Sequence, residues 1–127
     1  MSKRILVIDD DDHVRLLATM SLSRVGGYEV SEAASGASGV TVAATTSPDA
    51  ILLDVMMPGT DGPTALELLR QQEVTRDVPV IFLTAKMRPS DHERLRALGA
   101  VGVIGKPFDP MTLPSQVAQV LGWDAPE

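Results

Sequence analysis

The chain is predicted to fold as an α/β domain: a doubly wound, five-stranded parallel sheet of (βα)5 type. Three observations predict this. Five apolar runs alternate with five helix-like stretches along the 127 residues. Strict alternation implies right-handed crossovers, which lay successive strands parallel in one sheet. Three of the runs, Ile5-Leu6-Val7-Ile8, Ala50-Ile51-Leu52-Leu53 and Val80-Ile81-Phe82-Leu83, are continuously apolar rather than alternating. That is the pattern of parallel strands covered on both faces. A polar residue follows each run directly: Asp9, Asp54 and Thr84.

Strand boundaries are read at about 4–9, 28–33, 49–54, 79–84 and 101–105, and helices at about 13–25, 36–46, 63–73, 90–98 and 110–121. The first helix carries Val14, Leu17, Ala18 and Leu22 on one face, with Asp12 as its expected N-cap. The second is a weak helix former, rich in Gly, Ser, Thr and Val. The third opens on Pro63, tolerated in a first turn, and carries Leu66, Leu68 and Leu69. The fourth is charged, with Asp91, Glu93, Arg94 and Arg96, and stops at Gly99. The fifth begins after Pro110 and is short of charge, its polar positions being Thr112, Ser115, Gln116 and Gln119. The chain reads as a single domain over 1–127 with a core of about 4–121. There is no internal repeat or linker, and the tail Asp124-Ala125-Pro126-Glu127 is only an end.

Composition narrows the function. Apolar residues make up 44% of the chain, enough for a real core and against disorder. No apolar run approaches a membrane span, and Met1-Ser2-Lys3-Arg4 leads straight into a strand-length run rather than a signal peptide. Cysteine is absent, which removes disulfides and thiolate chemistry and agrees with a cytoplasmic location. The net charge of −6 disfavours nucleic acid as a partner, because neutralising phosphates needs clustered Lys and Arg.

In a doubly wound sheet ligands gather beyond the carboxyl ends of the strands, where strand order reverses. For the order 2-1-3-4-5 that point lies between strands one and three, which end in Asp9-Asp10 and Asp54. Strands four and five end in Thr84 and Lys106. Carboxylates crowded there repel one another unless a cation joins them, which argues for a divalent metal site with an anion bound beside it.

At these residues the chain resembles the receiver domain of bacterial two-component response regulators, a flavodoxin-like fold. The resemblance covers about residues 4–121. It rests on Asp9-Asp10, on Asp54-Val55-Met56-Met57-Pro58-Gly59-Thr60-Asp61-Gly62, on Thr84-Ala85 and on Lys106-Pro107-Phe108. The strand order is known from this family, so that part of the fold expectation comes partly with the resemblance.

The resemblance implies that Asp54 is a phosphoacceptor, forming an acyl phosphate by nucleophilic attack on phosphorus. Attack by an anion on an anionic phosphoryl group needs charge compensation, which positioning and electrostatics supply. Mg²⁺ suits the site, being content with one or two carboxylates plus waters and a phosphate oxygen. Its expected ligands are Asp10 directly, Asp9 directly or through water, Asp54, and, by resemblance, the Met56 backbone carbonyl. Also by resemblance, the Thr84 hydroxyl hydrogen-bonds a phosphoryl oxygen, the Lys106 ammonium pairs with the phosphoryl group and with Asp54, and the Lys106-Pro107 bond is cis.

Other residues receive plainer roles. Asp11 and Asp12 are read as outside the ligand set. Asp61 and Gly62 are expected to shape the turn into helix three, Gly62 through unusual backbone angles. Met57 is expected to pack, and His13 and His92 to face solvent.

The chain departs from the family at Val103, where many receivers carry Tyr, Phe or His three residues before the lysine. Valine cannot swing as a ring does, which shifts attention to the loop Ala85-Lys86-Met87-Arg88-Pro89. Met56 and Lys86, two beyond Asp54 and Thr84, border the path of the attacking water by resemblance and should set the acyl-phosphate lifetime.

The expected function is a chemotaxis-regulator-like receiver, stand-alone or excised from a larger protein, and not an enzyme beyond its own phosphorylation and dephosphorylation. Its donor would be a sensor histidine kinase or phosphotransfer protein. Its output would be an unidentified downstream protein met on helix four, strand five and helix five, with the chain a monomer or weak dimer. The first alternative is a degenerate receiver serving as a constitutive protein-binding module. A phosphatase or transferase of the haloacid-dehalogenase type would need a second aspartate two residues after its nucleophile; Asp9 and Asp11 have that spacing, but there is no length for a cap. A flavin carrier would need a hydroxyl-rich phosphate loop where this chain has four aspartates.

Overall fold

The computed structural model describes residues 2–86 and 88–124. Met87 of the loop singled out above and the tail residues 125–127 lie outside them. Five parallel strands form one sheet: β1 (Arg4–Ile8), β2 (Glu29–Ala33), β3 (Ala50–Asp54), β4 (Val80–Thr84) and β5 (Gly102–Gly105), ordered β2-β1-β3-β4-β5 as expected. The helices are α1 (Asp12–Met20), α2 (Gly36–Thr46), α3 (Gly62–Gln71), α4 (Pro89–Ala97) and α5 (Leu113–Leu121).

The strand pattern explains the layers. All five residues of β3 and of β4 are buried, because both faces are covered. Leu6, Ile8, Ile51, Leu53, Val80 and Phe82 point to one face and pack with Val40 and Ala43 of α2, Leu66 and Leu69 of α3, and Leu95 of α4. Their neighbours Ile5, Val7, Leu52, Ile81, Leu83 and Ile104 point to the other and meet Ala18, Leu22, Leu113 and Val117. The two-residue period of a strand deals alternate side chains to opposite faces. The edge strand β2 keeps Glu29 and Glu32 exposed, the kind of charge that discourages further pairing.

The poor helix former α2 is stabilised tertiarily rather than by propensity. Ser35 caps it, its side chain accepting from the Ser38 N–H. A Cβ at Gly39 would lie 2.5 Å from Ile8 Cδ1, so only glycine lets α2 sit this close to β1.

Several boundaries differ from the sequence expectation. The N-cap of α1 is Asp11, not Asp12: its carboxylate accepts from His13 N at 2.9 Å and Val14 N at 3.1 Å. Asp12 is already helical and binds Arg15 instead. The helix read as 13–25 is α-helical only to Met20, and Ser21–Val25 widens into a π-helical turn. There the buried Ser21 hydroxyl donates to the Pro110 carbonyl. α5 starts at Leu113 rather than just after Pro110; the intervening residues form a turn in which Thr112 N and Leu113 N bond the Asp109 carbonyl. β1 ends at Ile8, so Asp9 stands just past the strand. Met57 is 7% exposed and packs in the core, as expected.

Candidate functional site

Each acidic, hydroxyl and lysine residue at the carboxyl edge is set by the strand it follows. Asp9 N–H bonds the Ala33 carbonyl at 3.2 Å, Val55 N–H bonds Leu83, and Lys106 N–H bonds Thr84 at 2.8 Å. The backbone on either side of the cleft is thus tied to the neighbouring strand. A cleft of about 270 Å³ opens between Asp10, Asp11, Asp54, Val55, Met56, Thr84, Ala85, Lys86 and Lys106. Asp9 lies beneath it.

The charges inside it are tightly paired. Lys106, its peptide to Pro107 cis as expected, places Nζ 2.7 Å from Asp9 Oδ2 and 3.0 Å from Asp54 Oδ1. Asp9 is fully buried, Asp54 nearly so, and Asp10 exposed. Asp9 Oδ1 accepts from Asp11 N at 2.9 Å. Asp9 Oδ2, despite its ion pair, has no aligned hydrogen-bond donor. Asp54 Oδ1 also accepts from Met56 N at 3.3 Å.

Electrostatics follow from this crowding. Burial pushes the Asp54 carboxyl up to about 6; the Lys106 hydrogen bond opposes that and the Asp9 charge adds to it. Burial disfavours the Lys106 ammonium, yet its bonds to Asp9 and Asp54 outweigh burial and hold its pKa above the ordinary lysine value. One lysine serves two carboxylates, with a third alongside. Asp9, Asp10 and Asp54 each offer an oxygen, all within 4.8 Å of one another. That all-oxygen set, with the buried Asp9 Oδ2 still lacking a directed donor, fits a hard divalent cation.

The structure therefore gathers Asp9, Asp10, Asp54, Thr84 and Lys106 at one edge, with Met56 in the loop beside them. The Met56 side chain is 69% exposed, so it does not serve as packing. Asp61 caps α3, accepting from Thr64 N at 2.9 Å. Gly62 is required by close approach, not by unusual angles: it has no positive φ, but a Cβ would lie 2.5 Å from the Asp54 carbonyl oxygen and 2.8 Å from Val55 Cα. The positive φ in that loop belongs to Gly59, at 77°. His13 is exposed as expected, whereas His92 is half-buried, its Nε2 2.9 Å from the Lys86 carbonyl oxygen.

Sequence reasoning missed Arg15. Its guanidinium reaches back to the Asp9 carbonyl at 2.8 Å while also binding Asp12 at 2.6 Å and Glu32 at 3.0 Å, clamping the acidic loop. The three-residue spacing from Asp12 signals only the local pair; the contacts to Asp9 and Glu32 exist only in three dimensions.

Comparison with known proteins agrees with this geometry. The family described as "Response regulator receiver domain" matches residues 5–118. The DNA-binding dual master transcriptional regulator RpaA of Synechocystis is 38% identical over 118 residues, covering 93% of this chain and 48% of that protein. The chain spans about half the length of several of the curated relatives it matches. Among solved structures, chemotaxis protein CheY4 of Vibrio cholerae superposes with a TM-score of 0.87 at 31% identity, covering 94% of this chain and 99% of that one. The receiver domain of sensor histidine kinase PA1611 from Pseudomonas aeruginosa, solved with a magnesium ion coordinated in its active site cleft, gives 0.83 at 31% identity, covering 96% and 99%. Among the described residues no helix is long and apolar enough to cross a membrane. With its sheet order, its carboxylate cluster and these likenesses, the chain belongs to the response regulator receiver domain family, the phospho-accepting signalling domains of two-component systems.

Proposed function

We propose that Asp54 is the phosphoacceptor, taking a phosphoryl group from the phosphohistidine of a sensor histidine kinase or of a phosphotransfer protein. The observation that carries this is the buried Asp54 carboxylate, 3.0 Å from a lysine and sharing an oxygen cluster with Asp9 and Asp10. An Asp54 oxygen attacks phosphorus, the donor's N–P bond breaks, and the imidazole leaves with the bonding electrons. Lys106, shared between Asp9 and Asp54 in the unmodified protein, balances the charge arriving on the phosphoryl oxygens. The Thr84 hydroxyl, at the end of β4 in the same cleft, donates to a second phosphoryl oxygen. Mg²⁺, held by Asp9, Asp10, Asp54 and the Met56 carbonyl, would supply the remaining positive charge. Hydrolysis reverses the modification: water attacks phosphorus past Met56 and Lys86, phosphate leaves, and Asp54 is restored.

The raised pKa of Asp54 fits this role: burial is its first cause and the Asp9 charge adds to it, so a cation bound beside both would favour the ionised carboxylate. The domain would act in the cytoplasm as a monomer or weak dimer. Its phosphorylated form would favour a different surface on α4, β5 and α5 for a downstream protein. A constitutive binding module would have no need of a complete carboxylate, hydroxyl and lysine set.

The test is intact mass after incubation with Mg²⁺ and a small acyl phosphate. One labile phosphoryl adduct is expected on the native chain and none on Asp54→Asn or in EDTA. A folded, Mg²⁺-binding protein that takes no phosphoryl group from either the small donor or a kinase would refute the assignment.

A further inference from the structure

The backbone of Lys86 is held on both sides of its Cα. Its N–H donates to Thr84 Oγ1 at 3.0 Å, and its carbonyl oxygen lies 2.9 Å from His92 Nε2. A carbonyl only accepts, so the proton of this bond sits on Nε2, whichever state Nδ1 adopts. One residue's backbone thus joins a hydroxyl lining the cleft to a side chain one turn into α4.

α4 is suited to respond to such a link. Its buried residues are only Asp91 and Leu95. Among the described residues no side chain caps its N-terminus. Its first turn is braced instead by Asp91, which is 4% exposed and accepts from Arg88 Nε at 3.2 Å and Arg94 Nη2 at 3.0 Å. Two ion pairs thus converge on Asp91 within the first two turns of α4, while Leu95 is its one buried apolar residue. Val103, on the neighbouring strand, has no polar group with which to report on Thr84.

We infer that His92 is a positioning residue for the phosphorylation site: through the Lys86 backbone it ties the Thr84 hydroxyl to α4, so that movement of Thr84 toward a bound phosphoryl group is coupled to the helix. This rests on the phosphoacceptor assignment for its consequence, but the link itself belongs to the unmodified protein. Thr84 has one oxygen, which already accepts from Lys86 N, and one hydrogen, which is free to donate into the cleft. Donation to a phosphoryl oxygen draws Oγ1 inward. The Lys86 backbone, bonded to Oγ1, follows, and its carbonyl moves against His92. The event at Asp54 thereby becomes a change at the N-terminal half of α4, without any ring on β5.

Nuclear magnetic resonance of the full chain tests this in two arms. In the unmodified protein, the His92 ring should carry its proton on Nε2, and Thr84→Val should shift the His92 ring nitrogen resonances. In stability measurements, Thr84→Val and His92→Ala should be non-additive by at least about two-fold in the folding equilibrium, the smallest coupling expected of linked residues. A ring protonated only on Nδ1, a ring resonance indifferent to Thr84→Val, or simple additivity would each overturn the link.

In the second arm, with Mg²⁺ and acyl phosphate added and the adduct verified by mass, the amides of Ser90–Ala97 should shift in the native chain. They should shift little in His92→Ala, and again in His92→Gln, whose amide NH₂ can donate to the Lys86 carbonyl. An α4 response in His92→Ala equal to that of the native chain would overturn the inference. Absence of an adduct on the native chain would instead count against Asp54 as acceptor, and the first arm would still decide whether the link exists.

Discussion

Replacing Asp54 with asparagine should abolish phosphoryl uptake and, in the metal-free protein at neutral pH, raise stability. The carboxylate is 5% exposed and has its pKa pushed up to about 6, against an ordinary 3.8. The difference is about two pK units, and at about 1.4 kcal/mol per unit the ceiling is about 3 kcal/mol. The cleft is open to water on the Asp10 side, and asparagine keeps only a weaker bond to Lys106, so about 1–2 kcal/mol is expected. For a domain of this size that is roughly 3–10 °C in Tm.

The sign of the pH dependence follows from the raised value. Below about pH 3 the carboxyl is largely protonated in folded and unfolded chains alike, and the native protein and the variant should be equally stable. Between pH 4 and 6 the folded chain holds a proton that the unfolded chain has lost, so native stability falls as pH rises through that window and then levels off. Urea unfolding in EDTA at pH 3, 6 and 8 measures it: the advantage of Asp54→Asn should be nearly absent at pH 3 and fully present at pH 8. An advantage of equal size at all three pH values, or none at pH 8, would refute the electrostatic account of the site. Excess Mg²⁺ should stabilise the native chain more than the variant and narrow the gap.

The remaining expectations concern the groups around Asp54. Lys106→Met leaves Asp9 and Asp54 facing each other without their shared cation, and should cost about 2–4 kcal/mol in EDTA, partly recovered in Mg²⁺, by urea unfolding in both buffers. Asp10→Asn should weaken Mg²⁺ binding, read as a smaller Mg²⁺-induced rise in Tm, while changing metal-free stability by less than about 0.5 kcal/mol, because Asp10 is exposed. Gly62→Ala forces a Cβ against the Asp54 carbonyl, and should cost about 1–3 kcal/mol and slow adduct formation. Asp61→Ala removes the cap of α3 and should cost about 1 kcal/mol. The Thr64 backbone hydrogen bond holds the Asp61 carboxyl below its ordinary value. Its contribution is therefore present above about pH 4 and lost as the solution is acidified further, and the deficit of the variant should shrink there.

Some of this protein is determined by the order of its residues alone. The runs Ala50–Leu53 and Val80–Leu83 can be satisfied only by burial on both faces, and a polar residue at the end of such a run must emerge at the sheet's edge. Alternation with helices then puts all those ends on one side. The convergence of Asp9, Asp10, Asp54, Thr84 and Lys106 was legible for that reason, across 96 intervening positions. The small residues of α2 were harder to interpret: weak propensity looked like weakness, when at Gly39 it is the condition for packing on Ile8.

Tertiary structure decided what depends on choices between equivalent groups. Asp11 and Asp12 can both cap a helix; Arg15, held also by Glu32 and the Asp9 carbonyl, engages Asp12 and leaves the cap to Asp11. A hydrogen-bonding choice likewise fixes the start of α5, where the Asp109 carbonyl takes Thr112 and Leu113 into a turn and delays the helix past Pro110. The widening of α1 at Ser21 accompanies a hydroxyl bonded to a carbonyl 89 residues away, which no local window contains. His92 has the same explanation: on a charged helix a histidine reads as solvent-facing, and only the return of the Lys86 carbonyl to within 2.9 Å gives it a partner. Hydrophobic periodicity is a property of neighbouring residues and survives in the sequence. The pairing of single polar groups is a property of distance in space, and only the folded chain sets it.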